Sequence, residues 1–222
     1  MIQPPGFVSN SPQLVCKLHK ALYGLKQAPR SRFHKLSATL QSFGFHSTKS
    51  DIFLFVKFHS SYTIFILIYV DDIIITRSCM TAIQQLISNL SVCFALKDLG
   101  PLHFSLSVQV THLPNCGLHL SQQKYITELL HRTKMDATKP LPTPMKTNLH
   151  LKKDASSAMH DPSLFRSIVG ALQYMLITRP KLSYVVNKVC QYMHSPQDHH
   201  WKAVKRILRY LAGTRTHGLI IQ

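Results

Sequence analysis

The chain has 222 residues, of which 45% are hydrophobic, and its 26 Lys and Arg residues outnumber 9 Asp and Glu residues to give a formal net charge of +17. This length allows one large domain or two small ones, and the hydrophobic fraction is sufficient for a buried core. So large an excess of positive charge argues against an ordinary solvated surface and favours a polyanionic partner, of which nucleic acid is the usual one.

The sequence lacks the features of a secreted or membrane protein. Its longest apolar run, residues 62–70, is far shorter than the roughly 20 residues of a membrane-spanning helix. The first residues, "MIQPPGFV", lack the basic start and apolar stretch of a signal peptide. The 5 cysteines are scattered without a CxxC pair, which is typical of reduced thiols. We therefore expect an intracellular protein, cytoplasmic or nuclear, with no membrane partner.

The first part of the chain predicts a mixture of helices and strands. Apolar residues at helical spacing predict helices over residues 28–43 and 80–94. Runs rich in β-branched and aromatic residues predict strands at 51–58, 62–70, 73–76, 103–110 and 117–120. Ser121 is a candidate N-cap for a third helix that continues through Leu130.

Residues 136–160 contain three prolines and few apolar residues, which predicts a linker. The chain is therefore predicted to consist of an α+β part over residues 1–135, this linker, and a helical part over residues 161–222. Asp161-Pro162 is a helix-start signal. Pro180 is expected to open a second helix, and a third runs from about Pro196 to Gly213.

Two adjacent carboxylates, Asp71 and Asp72, interrupt an apolar run in the segment "IYVDDIIIT". Because they fall between two predicted strands, we expect them at the tip of a β-hairpin. Hard oxygen ligands of this kind suit Mg²⁺, which is often bound by one or two carboxylates together with substrate phosphates. The alternative is an exposed polar turn, in which Asp is a common residue.

The segment "YVDD" resembles the polymerase signature of reverse transcriptases. Together, seven blocks in order resemble the Pol polyprotein of copia-type (Pseudoviridae) retrotransposons, and they cover essentially the whole chain: "ALYGLKQAPRSRF", "KSDIFLF", "YVDDIIIT", "KDLGPLHF", "GLHLSQQKYI", "FRSIVGALQYMLITRP" and "AVKRILRYLAGT". The resemblance implies a partial reverse-transcriptase palm followed by a helical thumb or connection region. It also implies an RNA-directed DNA polymerase that uses two Mg²⁺ ions on an RNA/DNA template–primer duplex.

The resemblance assigns roles to residues of the polymerase centre. Asp71 and Asp72 match the catalytic carboxylates that hold the metal ions. Residues matching positions near the incoming nucleotide, the primer end or the pyrophosphate are Gln27, Tyr69, Val70 and Lys97.

In the resemblance, "FRSIVGALQYM" matches a thumb helix that follows the minor groove of the duplex. Its contact positions match Arg166, Gly170 and Tyr174, which are four residues apart and therefore share one helix face. That face is predicted to lie away from the apolar positions Leu164, Ile168, Ala171 and Met175. The alternative is an ordinary exposed stripe that contains a helix-weakening glycine.

The last predicted helix has a basic face. Its cations recur at i, i+3, i+4 and i+7, and they are Lys202, Lys205, Arg206 and Arg209. Apolar residues expected to dock the helix lie on the other side, namely Trp201, Val204, Leu208 and Leu211. A nucleic-acid contact is one interpretation, and a solvated amphipathic helix is the alternative.

Several residues depart from the family pattern. Arg32 stands where the family has Trp, Ser105, Ser107 and Gln109 interrupt what would read "YFLGIE", and Lys181 stands where Asp is usual. We expect Arg32 and the serines to place polar groups at core or tight-turn positions, at a cost of about 1–3 kcal/mol each if unpaired.

In the family, a further catalytic Asp precedes the "QPPGF" segment, and an RNase H domain follows the region matched here. The chain starts at "MIQPPGF" and stops at Gln222, so we expect an incomplete metal centre. The resulting prediction is a fragment of a reverse transcriptase that is inactive alone. The alternative is a non-catalytic, basic nucleic-acid-binding remnant, and other Pol fragments are candidate partners.

Overall fold

The computed structural model describes residues 6, 11, 24–76, 80–114, 116–147, 151–152 and 157–222. The chain forms two compact units, unit 1 (Met1–Asp98) and unit 2 (Leu99–Gln222). Within the described ranges no helix is both long and apolar enough to cross a bilayer.

Unit 1 contains an antiparallel sheet and two helices. Its elements are α1 (Ala28–Ser42), β1 (His46–Ser47), β2 (Leu54–Phe58), β3 (Thr63–Tyr69), β4 (Asp72–Thr76) and α2 (Met80–Cys93). The strands lie in the order β1-β2-β3-β4, so each pairs with its neighbour along the chain. The predicted helices and strands of this region are confirmed.

Alternation along β3 explains why helices cover one face of this sheet. Ile64, Ile66 and Ile68 are buried, whereas Phe65 and Tyr69 between and after them are exposed. Successive strand residues point to opposite faces, so the three isoleucines define the core side. The buried cluster on that side comprises Leu36, Leu40, Phe45, Phe55, Ile64, Ile66, Ile68, Leu86 and Leu90.

Unit 2 combines a second antiparallel sheet with a helical core. Its elements are β5 (Phe104–Ser105), β6 (Val108–His112), β7 (Leu118–Ser121), α3 (Gln123–Arg132), α4 (Pro162–Met175), the 3₁₀ helix η1 (Pro180–Leu182), α5 (Ser183–Cys190), α6 (Asp198–Gly213) and β8 (Gly218–Ile221). The strands lie in the order β5-β6-β7-β8. The helices share a core that includes Ile126, Leu130, Phe165, Ile168, Leu172, Met175, Val186, Val189, Val204, Ile207 and Leu211. The α+β fold class is confirmed.

Two local predictions for unit 2 were wrong, and one strand was not predicted. The predicted strand over 103–110 is a hairpin, because the chain reverses at Leu106 and Ser107, whose φ angles are 49° and 61°. Ser121 belongs to β7 and does not cap α3; the N-cap is Gln122, which makes no side-chain capping bond. Strand β8 was not predicted. By contrast, Asp161 caps α4 as expected, since its carboxylate accepts hydrogen bonds from the amides of Ser163 (3.0 Å) and Leu164 (2.9 Å).

The described residues of the predicted linker pack against unit 2. The amide of Leu141 donates to the carbonyl of Arg209 at 3.2 Å, and Met159 is buried in the helical core. Ala158 also forms an isolated β-bridge with Gln197. Helix α3 and this segment therefore belong to the same compact unit as the C-terminal helices, and the boundary between the two units falls after Asp98. The boundaries that composition predicts, at residues 135 and 161, remain a prediction, because a proline-rich, weakly apolar segment has the same composition whether it is free or docked.

Candidate functional site

The two adjacent carboxylates lie at the tip of the β3–β4 hairpin. Tyr69 pairs with Asp72 at the end of the ladder, so Val70 and Asp71 form the turn between the strands. Val70 has a φ of 51°, an unusual conformation for a β-branched residue. Tyr69, Val70, Asp71 and Asp72 are all exposed. The hairpin predicted from the sequence is confirmed, and it presents both carboxylates to solvent.

A guanidinium group from α1 engages the first of these carboxylates. Arg32 Nη1 donates to Asp71 Oδ1 in an ion pair, and Arg32 Nη2 lies 3.4 Å from the Asp71 carbonyl oxygen. The two side chains are 42% and 65% exposed. Arg32 is therefore not in the core, contrary to the expectation from its place in the family pattern. Because both side chains are exposed, Arg32 reaches the hairpin tip without either charge having to be buried.

These residues do not by themselves fit a two-metal centre. In the part of the chain that the structure describes, no three His, Cys, Asp or Glu side chains are grouped closely enough to hold a metal ion. Of the two carboxylates at the tip, Asp71 already accepts from Arg32. Two neighbouring carboxylates on one turn cannot surround two divalent ions, which need several oxygen ligands each.

The other residues assigned to the polymerase centre are on the surface of unit 1. Gln27 is the N-cap residue of α1, and its carbonyl accepts from the Ser31 amide at 3.0 Å. Lys97 lies in the irregular segment after α2. Both side chains are exposed, and within the described residues neither forms a hydrogen bond or ion pair with the carboxylates of the tip. Their nucleotide-binding roles remain predictions.

The predicted stripe forms the outer face of α4, on which Arg166 is exposed but Gly170 and Tyr174 are half-buried. Arg166 is exposed and its Nη2 lies 3.1 Å from Ser163 Oγ. A Cβ added at Gly170 would meet no atom within 4 Å. The Tyr174 hydroxyl donates to the Leu106 carbonyl in the β5–β6 turn. The opposite face is buried through Ile168, Ala171 and Met175, whereas Leu164 is only half-buried.

The predicted basic face of α6 is divided between two environments. Lys202 and Lys205 are exposed, and Lys205 Nζ lies 5.8 Å from the centre of the Trp201 ring. Arg206 Nη2 instead donates to Thr143 Oγ1 at 2.7 Å, and Arg209 Nε donates to the Lys139 carbonyl at 2.7 Å. Both arginines therefore hold the 139–143 segment on α6. The apolar side docks as expected, with Val204, Leu208 and Leu211 buried and Trp201 half-buried.

Unit 2 also contains a buried polar group that sequence reasoning missed. Thr178 Oγ1 donates to Gln122 Oε1 at 2.8 Å, and the adjacent Arg179 donates through Nη2 to the carbonyl of Thr214. Burial lowers the pKa of the Arg179 guanidinium below its ordinary value. These contacts join the start of α3, the η1 segment and the end of α6. The only sequence signal was the polar pair Thr-Arg directly before Pro180.

The residues of β5 and β6 that depart from the family pattern place polar atoms in buried positions. Ser105 Oγ and Gln109 Oε1 are buried without a hydrogen-bond partner. Ser107 occupies a turn position with positive φ, where any residue with a Cβ atom is strained and glycine is not.

We expect Ser107→Gly to raise the free energy of unfolding by about 0.5–1 kcal/mol, because glycine adopts positive φ without steric cost. Urea denaturation followed by circular dichroism measures this change. The control is Ser195→Gly, at an exposed position whose φ is not positive, where glycine should lower stability or leave it unchanged. Equal effects of the two substitutions would contradict the strained turn.

An antiparallel sheet with helices on one face and paired carboxylates at a hairpin tip is the class of structure expected for a polymerase palm. The chain belongs to the reverse transcriptase (RNA-dependent DNA polymerase) family, whose family model matches residues 1–147. Members of this family bind nucleic-acid templates and are generally Mg²⁺-dependent.

Curated relatives identify the copia-type branch. The chain is 46% identical over 223 residues to the retrovirus-related Pol polyproteins from transposons RE2 and RE1 of Arabidopsis thaliana; the match covers 100% of this chain but 15% of each polyprotein. It is also 49% identical over 158 residues to an uncharacterized mitochondrial protein of Arabidopsis thaliana, covering 71% of this chain and 65% of that protein. The chain corresponds to a reverse-transcriptase fragment of copia-type Pol polyproteins. No solved structure matches.

Proposed function

We propose that this chain binds an RNA/DNA template–primer duplex through unit 2, using the outer face of α4 and the exposed lysines of α6. The carboxylate tip of unit 1, Asp71 and Asp72, is proposed to contribute Mg²⁺ ligands to the polymerase centre. Other fragments of the Pol polyprotein are the proposed partners that would complete this centre.

The stripe on α4 is the observation that carries the proposal. Glycine in a helix interior destabilises the helix by roughly 0.5–1 kcal/mol relative to alanine. At Gly170 no described atom of the chain occupies the space that a Cβ would take. The glycine therefore leaves room for a molecule outside the chain, and Arg166 one turn earlier supplies a cation for a phosphate.

The charge of the chain supports the same partner. A net charge of +17 favours a polyanion, and phosphate contacts supply much of the affinity of nucleic-acid-binding proteins. On α6 the exposed cations are Lys202 and Lys205. Arg206 and Arg209 are half-buried and each donates a hydrogen bond to the 139–143 segment, so the proposal rests on the two lysines, and the binding roles of the two arginines remain predictions.

A non-catalytic nucleic-acid-binding protein is the second candidate, and the Arg32–Asp71 ion pair favours it. Primer extension on an RNA template with Mg²⁺ or Mn²⁺, measured with the chain alone and with the remaining segments of the Pol polyprotein added, distinguishes the candidates. Extension that requires this chain and is lost in Asp71→Asn supports the metal role of the tip. Duplex binding without extension under both conditions supports the non-catalytic protein.

Duplex binding is expected to depend steeply on salt. In a fluorescence-anisotropy titration of the full chain with a labelled RNA/DNA duplex, each phosphate contact contributes about −0.9 to the slope of log affinity against log salt for B-form DNA, and we expect a similar magnitude here. Lys202→Glu with Lys205→Glu should therefore reduce the magnitude of the slope by about two.

The matched control is a double reversal at two exposed lysines of unit 1, Lys26→Glu with Lys49→Glu, which changes the net charge equally. Binding that is independent of salt would contradict the proposed function. An equal loss of slope in both double variants would show that only net charge matters and would remove α6 from the binding surface.

A further inference from the structure

The structure assigns a regulatory role to Arg32. Its guanidinium pairs with the carboxylate of Asp71 and thereby excludes a divalent metal ion from the hairpin tip. We infer that this one side chain keeps Mg²⁺ from the Asp71–Asp72 pair in the isolated chain. The inference rests on the proposed metal role of that pair and names the residue that regulates it.

Two contacts place the guanidinium on Asp71. Arg32 Nη1 donates to the carboxylate Oδ1, while Nη2 lies 3.4 Å from the backbone carbonyl oxygen of the same residue. A guanidinium is planar and permanently charged, so two neighbouring acceptors fix its orientation as well as its position. The carboxylate Oδ1 and the backbone carbonyl oxygen of Asp71 are thereby used by a monovalent cation that is part of the chain, whereas the carboxylate Oδ2 does not contact Arg32.

Packing of α1 delivers Arg32 to this position. The adjacent Phe33 ring lies edge-on to Phe53, with ring centroids 4.8 Å apart, and tilted to Phe55 at 6.4 Å. One turn later Leu36 is buried in the core of unit 1. These contacts anchor the helix on the sheet from which the β3–β4 hairpin extends, so Arg32 is presented to the tip by a fixed backbone.

Electrostatics then disfavours a divalent ion at the tip. A metal ion that approached Asp71 would have to displace the guanidinium from Oδ1 or bind beside it, and in either case its charge would repel the ion from a short distance. While Arg32 holds Oδ1, the tip offers only Asp71 Oδ2 and the carboxylate of Asp72, which are too few oxygen ligands for tight binding.

Direct metal binding tests this role without depending on polymerase activity. The free-ion signal of Mn²⁺ in electron paramagnetic resonance would be measured during titration into the full chain, with Mg²⁺ as competitor. The variants are Arg32→Gln, Arg32→Trp and Arg32→Gln combined with Asp71→Asn. Arg32 is exposed, so Arg32→Gln is expected to fold even if the larger Trp is not accommodated. Arg30→Ala is the matched control, because Arg30 lies on the same helix but pairs with His34.

We expect Arg32→Gln and Arg32→Trp to bind Mn²⁺ about tenfold more tightly than the unsubstituted chain, since an exposed ion pair is weak but its positive charge repels the metal. Adding Asp71→Asn should abolish the gain, and Arg30→Ala should show none. Equal affinity in the unsubstituted chain and Arg32→Gln, or an equal gain in Arg30→Ala, would overturn the inference alone. Absence of Mn²⁺ binding in every variant would overturn both the inference and the metal role of the tip, while the duplex titration would still test unit 2 independently.

Discussion

Gly170→Ala is expected to stabilise the chain and weaken its binding to duplex at the same time. The free energy of unfolding should rise by about 0.5–1 kcal/mol, because alanine has the higher helix propensity and its Cβ would meet no atom within 4 Å. Affinity for an RNA/DNA duplex should fall by roughly tenfold, because the added methyl group would occupy the space left for the duplex. Urea denaturation and fluorescence anisotropy on the same preparation measure both effects.

Asn187→Ala provides the control for Gly170→Ala. Asn187 is exposed on α5, so alanine there should raise helix stability without changing the affinity for duplex. If Gly170→Ala stabilised the chain and left affinity unchanged, Gly170 would be an incidental helix glycine. A rise in the free energy of unfolding together with a fall in duplex affinity is therefore expected only where the substituted residue faces the bound duplex.

Gly218→Ala is expected to lower the free energy of unfolding by at least about 2 kcal/mol, because overpacking against backbone cannot be relieved by a side-chain movement. An added Cβ would lie 2.1 Å from the Leu120 carbonyl oxygen and 2.6 Å from His119 Nε2. Strand β8 would have to move away from β7, where Gly218 pairs with Ser121. Chemical denaturation measures the change.

Thr216→Ala, in the exposed turn before β8, is the control for that substitution and should change stability little. Unchanged stability in Gly218→Ala would contradict the close pairing of β7 and β8.

Local sequence signals were sufficient for most of the secondary structure. Alternation along β3, the Asp161-Pro162 start of α4 and the periodic apolar residues of α1 each depend on residues that are near one another in the chain. The β5–β6 hairpin was missed because Leu106 and Ser107 lack the Gly or Asn that usually marks a turn with positive φ. Strand β8 was missed because four residues are too short a pattern, and their partner strand is distant in sequence.

The candidate site was only partly predictable for the same physical reason. The hairpin position of Asp71 and Asp72 followed from the flanking strands. The Arg32–Asp71 pair joins residues far apart in the chain, and Arg32 was expected in the core because the family has an apolar residue there. On α6, helical periodicity predicted that the four cations lie on one face of the helix. It could not show that Arg206 and Arg209 would be bound by the 139–143 segment.

The pairing of β7 with β8 also sets the order in which the chain can fold during synthesis. Gly218 pairs with Ser121, and all the helices that the structure describes in unit 2 lie between these two residues. Because pairing between distant segments is slow and needs both strands present, this sheet cannot be completed before residue 221 has left the ribosome. The sheet of unit 1 pairs only strands that follow one another, so it can form while later residues are still being translated. During that interval, the edge of β7 that β8 later covers is unpaired and open to association with other strands.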